Sequence, residues 1–286
     1  MIFAGIFAPL VAVVACLASQ PANLSRQVAS LATERDPARL EAASVVVASS
    51  GSAQAIQKLA THLGSRSFLR RLDPGKKGQS DIERLVHVFA VLAEHPSAAT
   101  EELCVGLAHN AEFLSLPERL NLLLNALAVV RPTSSRAAAI FRESSHAGFF
   151  DVNGPLLARN ASPLALAVLE ELMSDETLDV QARVGVAHRS LLPVRTNSAV
   201  VEMCGRVTLP RVVAGPVRMA IAESLFDYQP KQWFGVVMNQ PVPPPWSSAN
   251  EPARNALRSL GKQLLGQSDV PENLRAEIRK ALAQLH

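Results

Sequence analysis

The chain has 286 residues and a formal net charge of +3, with 28 basic and 25 acidic side chains. So small an excess of positive charge excludes a protein whose whole surface holds a polyanion. Hydrophobic residues make up 48% of the sequence and aromatic residues only 5%. Because much of the apolar fraction is Ala, Leu and Val, the composition favours closely packed helices over a β-sandwich.

The first 20 residues have the features of an export signal. Residues 2–18 are apolar and uncharged, a length that suits the core of a signal peptide and lies at the lower limit for a membrane span. Val13-Val14-Ala15-Cys16 resembles a bacterial lipobox, whose cysteine becomes lipidated and N-terminal after cleavage. Cleavage after Ala18 is the alternative for a secreted protein. Either route predicts a protein of the cell envelope, with membrane contact through residues 2–18 or lipidated Cys16.

The charges beside this segment support a different orientation. No Lys or Arg precedes it, whereas Arg26, Arg35 and Arg39 follow it. The positive-inside rule would then keep the rest of the chain in the cytoplasm, behind a membrane anchor. A buried first helix is the third alternative.

Helical periodicity dominates residues 21–286, and strand patterns are scarce. Residues 116–130 and 162–173 form apolar helical stretches, each with Pro near its start, and residues 271–285 form an amphipathic one. Even the β-branched run at 44–48 lies within a helical pattern. The sequence therefore predicts an all-α fold.

A recurring Pro-x-Arg or Asp-initiated helix start divides this region into repeats. The repeated arginines are Arg39, Arg84, Arg119, Arg183, Arg218 and Arg254. Most intervals are about 35 residues, and the one interval of 64 leaves room for a further helix near residues 154–157. We expect these arginines to tie one repeat to an acid or carbonyl group of the next. A solvated position at the helix start is the alternative.

The repeat resembles the HEAT repeat, in which two antiparallel helices span about 35 to 40 residues. The best match is at residues 216–225, where Pro216-Val217-Arg218 leads into pairs of small and apolar residues. The resemblance implies an α-solenoid of about six or seven HEAT-like antiparallel helix pairs over residues 21–286. One helix pair cannot offset its ordering cost alone, so several must stack.

The sequence contains no pattern typical of a catalytic or metal site. No histidine pair has helical zinc spacing, and Cys-x-x-Cys is absent. Ser144-Ser145-His146 reads as a polar loop between helices. Cys104 and Cys204 are expected to be buried thiols, with a disulfide between them as the alternative in an oxidising compartment. We therefore expect no enzyme activity, no cofactor and no metal.

Two segments read as loops that could bind a partner. Residues 66–78 carry five basic side chains, which are Arg66, Arg70, Arg71, Lys76 and Lys77. These could meet an acidic protein, a phosphate-bearing polymer or an anionic lipid. A solvated linker between repeats is the alternative.

The second segment, residues 239–252, contains three consecutive prolines followed by Trp246, and Trp233 lies just before it. Such a segment acts either as a docking ligand or as a strap with its tryptophan buried.

Together these patterns predict a non-enzymatic repeat scaffold that binds an unidentified protein partner, exported or tethered to a membrane. The first alternative is a cytoplasmic HEAT-like protein associated with nucleic acid. Balanced charge along the helices disfavours it. The second alternative is an accessory subunit of an enzyme complex.

Overall fold

A computed structural model describes residues 21–73, 81–130, 133–210, 213–226 and 244–285. The regular structure in these ranges is helical throughout, which confirms the predicted all-α class. The chain divides into two compact units, residues 1–131 and 132–286. Cys16 and the rest of residues 1–20, Lys76, Lys77 and Trp233 lie outside the described residues.

The first unit consists of short helices that mostly begin at a polar cap. They are α1 (Pro21–Thr33), α2 (Pro37–Ser49), α3 (Ala53–Leu63), α4 (Arg66–Leu72), α5 (Asp81–Glu94), α6 (Ala98–Leu107) and α7 (Pro117–Leu127). The caps of α2, α3, α4 and α6 are Asp36, Ser52, Ser65 and Ser97, each accepting a hydrogen bond from a backbone N–H in the first turn. A 3₁₀ turn, Phe113–Ser115, precedes α7.

Within this unit the helices pack in two series. In one series α3 lies between α1 and α6, and in the other α5 lies between α2 and α7. Two of the repeated arginines link the second series. Arg84 of α5 pairs with Glu41 of α2, and Arg119 of α7 pairs with Asp81 of α5. At both positions the arginine reaches an acid on another helix, which confirms the expected arginine–acid contact.

The second unit continues with longer helices. They are α8 (Ser135–Ser144), α9 (Phe150–Asn160), α10 (Pro163–Ser174), α11 (Val180–Leu191), α12 (Ser198–Thr208), α13 (Gly215–Phe226), α14 (Glu251–Leu265) and α15 (Glu272–Gln284). Helix α9 is the element expected near residues 154–157. The polar loop expected at residues 144–146 is wrong, because Ser144 ends α8 and a π-helical turn, Ser145–Phe149, follows it directly. Gly148 in this turn has a left-handed backbone (φ 99°), which separates α8 from α9. The Ser144 hydroxyl donates to the Ile140 carbonyl, so it extends the helix instead of breaking it.

This unit also packs in two series, α8–α10–α12–α14 and α9–α11–α13–α15, each helix contacting the next in its series. Helix α13, the best copy of the repeat, is buried on nearly every side, and Ala222 within it is 1% exposed. Its Arg218 is buried and reaches Gln267 and Asp269 in the connection between α14 and α15. Packing between helices is therefore the role of this segment.

Two adjacent acids on α10 show how the first series is joined at its surface. Glu171 pairs with Arg142 of α8 at 2.7 Å, and Glu170 pairs with Arg206 of α12 at 2.9 Å. Because consecutive helical residues point in different directions, each acid reaches a different neighbour.

Helices α9 and α11 approach each other most closely at Gly154. A Cβ atom at this position would lie 2.3 Å from Val186 Cγ1 and 2.7 Å from Ser190 Oγ, so the backbone itself forms the contact surface. Gly205 in α12 has no other group within 4 Å of the corresponding position.

This contrast predicts opposite effects for the same substitution. Gly154→Ala overpacks the α9–α11 contact and should lower the free energy of unfolding by about 1–3 kcal/mol. Gly205→Ala should raise it by about 0.4–1 kcal/mol, because Ala restricts the unfolded chain and fits the helix. Urea denaturation followed by circular dichroism measures both. Equal stability of the two variants would show that α9 and α11 move apart freely.

Candidate functional site

A cleft of about 440 Å³ opens on the surface of the first unit. Its walls come from α4, the start of α5 and the segment from Ala111 into α7. Three arginines and three acids line it, which are Arg66, Arg70, Arg119, Asp73, Asp81 and Glu112. Of the predicted partner-binding residues, the structure brings Arg66 and Arg70 together here.

The floor of the cleft is a buried ion pair. Arg119 Nη2 donates to Asp81 Oδ2 at 2.7 Å, and both side chains are almost fully buried. The Arg119 fork also reaches the Glu112 and Phe113 carbonyl oxygens at 3.0 and 3.1 Å, which fixes the 3₁₀ turn against α5. Burial raises the pKa of Asp81, and the opposing influence of Arg119 offsets this only in part. The pair therefore holds the walls in place and is not free to bind a ligand.

The rim of the cleft is exposed and of mixed character. The Arg66 side chain is 66% exposed, with its Nε 4.0 Å from Glu112 Oε2. Arg70 is exposed in the last turn of α4. Leu116, at 37% exposure, is one of two exposed large hydrophobic residues in the described ranges, the other being Val129. Guanidinium groups and an apolar side chain thus border the same opening.

The arginines reach the rim because residues 66–72 form a helix. The prediction of a loop for this stretch is wrong. Ser65 caps the helix through the Phe68 N–H at 3.3 Å, and Phe68, Leu69 and Leu72 bury one face. Arg66 and Arg70 lie four residues apart and therefore share another face.

Arg71, the third basic residue of α4, has a structural role. Its two terminal nitrogens donate to the Leu31 and Glu34 carbonyl oxygens at the end of α1, at 2.7 and 2.6 Å. Its guanidinium also lies 5.4 Å from the centre of the Phe68 ring. Arg71 therefore holds α4 on α1, and its guanidinium is used in contacts within the unit.

Trp246 in the second unit is buried, at 1% exposure. Its Nε1 donates to the Leu225 carbonyl at 3.1 Å, and the Arg195 guanidinium lies 4.3 Å from the ring centre. Arg195 in turn donates to the Pro244 carbonyl at 2.9 Å. This arrangement corresponds to the strap alternative for Trp246, whose ring is covered by protein on both faces.

Tryptophan fluorescence tests this placement. Trp233→Phe leaves Trp246 as the only tryptophan of the chain. Its emission should be blue-shifted and protected from iodide, because the indole is surrounded by protein. Trp246→Phe, which reports Trp233 instead, provides the comparison. Red-shifted, readily quenched emission from Trp246 would mean that the strap opens in solution.

A Ser-His-Glu arrangement that the sequence pattern did not reveal lies between α11 and α13. His188 Nδ1 is 3.3 Å from Ser224 Oγ, and His188 Nε2 is 3.6 Å from Glu223 Oε2. Ser224 is 2% exposed and its hydroxyl donates to the Ala220 carbonyl at 2.7 Å. The shortest contact of the hydroxyl is to the Ala220 carbonyl and not to His188, so its proton is directed to the backbone and not to a general base, unlike the arrangement that activates a nucleophile. Ser224 and His188 therefore join the two helices.

This contact makes stability depend on pH. Burial lowers the pKa of His188 from 6.5 to about 4, so the folded chain keeps the ring neutral. Between these values the unfolded chain binds a proton that the folded chain does not, and the free energy of unfolding falls as pH is lowered. The contribution of His188 is at most about 1.4 kcal/mol per pH unit.

His188→Gln should flatten this dependence when urea denaturation is compared from pH 7 to pH 4.5. The exposed His109 is the matched control, since His109→Gln leaves the buried contact intact. Parallel pH profiles for wild type and His188→Gln would contradict the buried, neutral state of His188.

The two cysteines in the described ranges are also buried. Cys104 and Cys204 are free thiols, and burial raises the pKa of each to about 12, which makes them inert. Within the described ranges no group of three or more His, Cys, Asp or Glu side chains is placed to hold a metal ion.

Fold and cleft together define an all-α protein with a mixed-charge surface cleft in its first unit. Comparison with protein-family models, with curated proteins and with solved structures gave no match to the chain. Of the helices in the described ranges, none combines the length and apolar character needed to cross a bilayer.

Proposed function

We propose that the chain is a non-enzymatic HEAT-like repeat scaffold that binds another protein. The observation that carries this proposal is the packing of the helices in two series within each unit, where each helix contacts the next one of its series. Such packing gives every repeat contacts mainly with adjacent repeats, which is the architecture of an α-solenoid. The proposed solenoid has about six or seven helix pairs over residues 21–286.

The repeated arginines support the HEAT-like character of these pairs. Arg119, Arg183 and Arg218 are each buried near the start of the second helix of a pair. Arg183 donates to the Met173 carbonyl at 3.3 Å, near the end of the preceding helix. A buried guanidinium needs several acceptors, and neighbouring repeats provide them.

The cleft of the first unit supports a protein as the partner. Its lining combines exposed arginines, acids and Leu116, which matches the mixed polar and apolar character of protein interfaces. Among the described lining residues the three acids balance the three arginines, so this part of the cleft has no surplus positive charge for a nucleic acid. This balance disfavours the cytoplasmic nucleic-acid alternative. An accessory role in an enzyme complex would use the same kind of protein contact.

We propose that the protein is located in the cell envelope. It would reach that location through cleavage of the first residues or lipidation of Cys16. This part of the proposal rests on the apolar segment at residues 2–18 and on the lipobox-like residues before Cys16. The alternative is that these residues anchor the chain in a membrane with the remaining residues facing the cytoplasm.

Intact mass of the mature chain, combined with photo-cross-linking in its own cells, tests the proposal. The mature protein should begin at a lipidated Cys16 or near Ser19, and cross-linkers at exposed helix positions should capture another polypeptide. Cys16→Ala separates the two routes, because it abolishes lipidation and leaves cleavage near Ser19 possible. Ala18→Leu is the matched change at the second cleavage position.

An uncleaved cytoplasmic chain that binds DNA, with an affinity that falls steeply with salt, would contradict the proposal.

A further inference from the structure

We infer that the cleft beside α4 binds an extended segment of the partner protein that presents an acidic side chain next to an apolar one. This inference rests on the proposed scaffold function and specifies the partner's chemistry.

The charges of the cleft identify the acidic half of the ligand. Asp81 and Arg119 form an ion pair in the floor, and Glu112 Oε2 lies 4.0 Å from Arg66 Nε on the rim. Arg70 adds a second exposed guanidinium on the same face of α4. A planar guanidinium offers paired N–H donors that match a carboxylate, so Arg70 is the group that we assign to the ligand's acidic side chain.

Leu116 identifies the apolar half. It occupies the N-cap position of α7 without a capping hydrogen bond from its side chain, although polar residues are strongly preferred there. A leucine at this position leaves α7 without a side-chain cap, and it places an apolar surface at the mouth of the cleft. Leu69, buried in the wall, extends that surface inward.

The described acids of the cleft favour a peptide over a polyanion. Asp73 and Glu112 would repel neighbouring phosphate groups, whereas the exposed Glu112 carboxylate can accept a hydrogen bond from a backbone N–H group of an extended chain. The volume of about 440 Å³ lies within the range of ligand pockets, roughly 300–1,000 Å³.

Fluorescence anisotropy with synthetic peptides tests this inference on the full chain. The probes are fluorescein-labelled peptides in a Gly-Ser background with Asp-Leu, Asn-Leu, Asp-Ser or Lys-Leu at the centre. Asp-Leu should bind most tightly, and Arg70→Ala should weaken its binding about tenfold or more, as expected when a hydrogen bond to a charged group is lost. Arg39→Ala, at an exposed arginine on α2, should leave binding unchanged.

A second pair of variants separates binding from folding. Leu116→Ser should lose affinity for Asp-Leu while keeping or raising the thermal stability, because serine is a preferred N-cap residue. Val129→Ser changes the other exposed apolar residue and should keep the affinity of the wild type.

Equal binding of all four peptides, or unchanged binding by Arg70→Ala, would overturn the inference. Binding of single-stranded DNA or of phosphatidylglycerol vesicles in preference to the peptides would overturn it as well. If the peptides fail while cross-linkers on the second unit still capture a protein, the cleft assignment is wrong and the scaffold function stands. If neither unit captures a protein, the proposed function itself fails.

Discussion

The carbonyl groups at the end of a helix have no donor within that helix, and in this protein side chains from neighbouring segments provide it. Arg71 caps α1, Trp246 caps α13, and Arg275 bonds the Leu265 carbonyl at the end of α14. Each such bond also fixes one element against another, so the geometry of both units depends on it. The sequence contains 22 Arg and only six Lys, and the multiple donors of a guanidinium explain why Arg suits this role.

Sequence patterns predicted the helical fold well because the repeat is a local property of the chain. The long interval between Arg119 and Arg183 also located α9, because a further helix of the repeat fits within it. Helix α4 escaped prediction, since its seven residues are rich in Arg and its stability comes from burying Phe68, Leu69 and Leu72 in the unit. The π-helical turn was not predicted either, because a polar side chain in it bonds to the backbone of the helix before it. The Ser145 hydroxyl donates to the Phe141 carbonyl, so a polar residue there does not signal a loop.

The candidate site was predicted only in part. The cluster of basic residues in the sequence made Arg66, Arg70 and Arg71 equal candidates. In a helix, however, consecutive side chains point about 100° apart. Arg71 therefore caps α1, whereas Arg70 reaches the cleft. Leu116 could not be found from local sequence, because it comes to the same rim from a distant helix. The Asp81–Arg119 pair joins residues 38 positions apart, and only their shared place in the repeat hinted at it.

The burial of α13 has a consequence for how the chain is made. This helix contacts α11, α12 and α15, and its buried Arg218 takes partners from the connection between α14 and α15. During synthesis α11 and α12 precede α13, whereas the partners of Arg218 and helix α15 leave the ribosome later, so the guanidinium and the surface that α15 covers stay open until then. A nascent chain that stalls between residues 226 and 267 therefore exposes part of the buried surface of α13, and such exposed apolar surface is prone to aggregate.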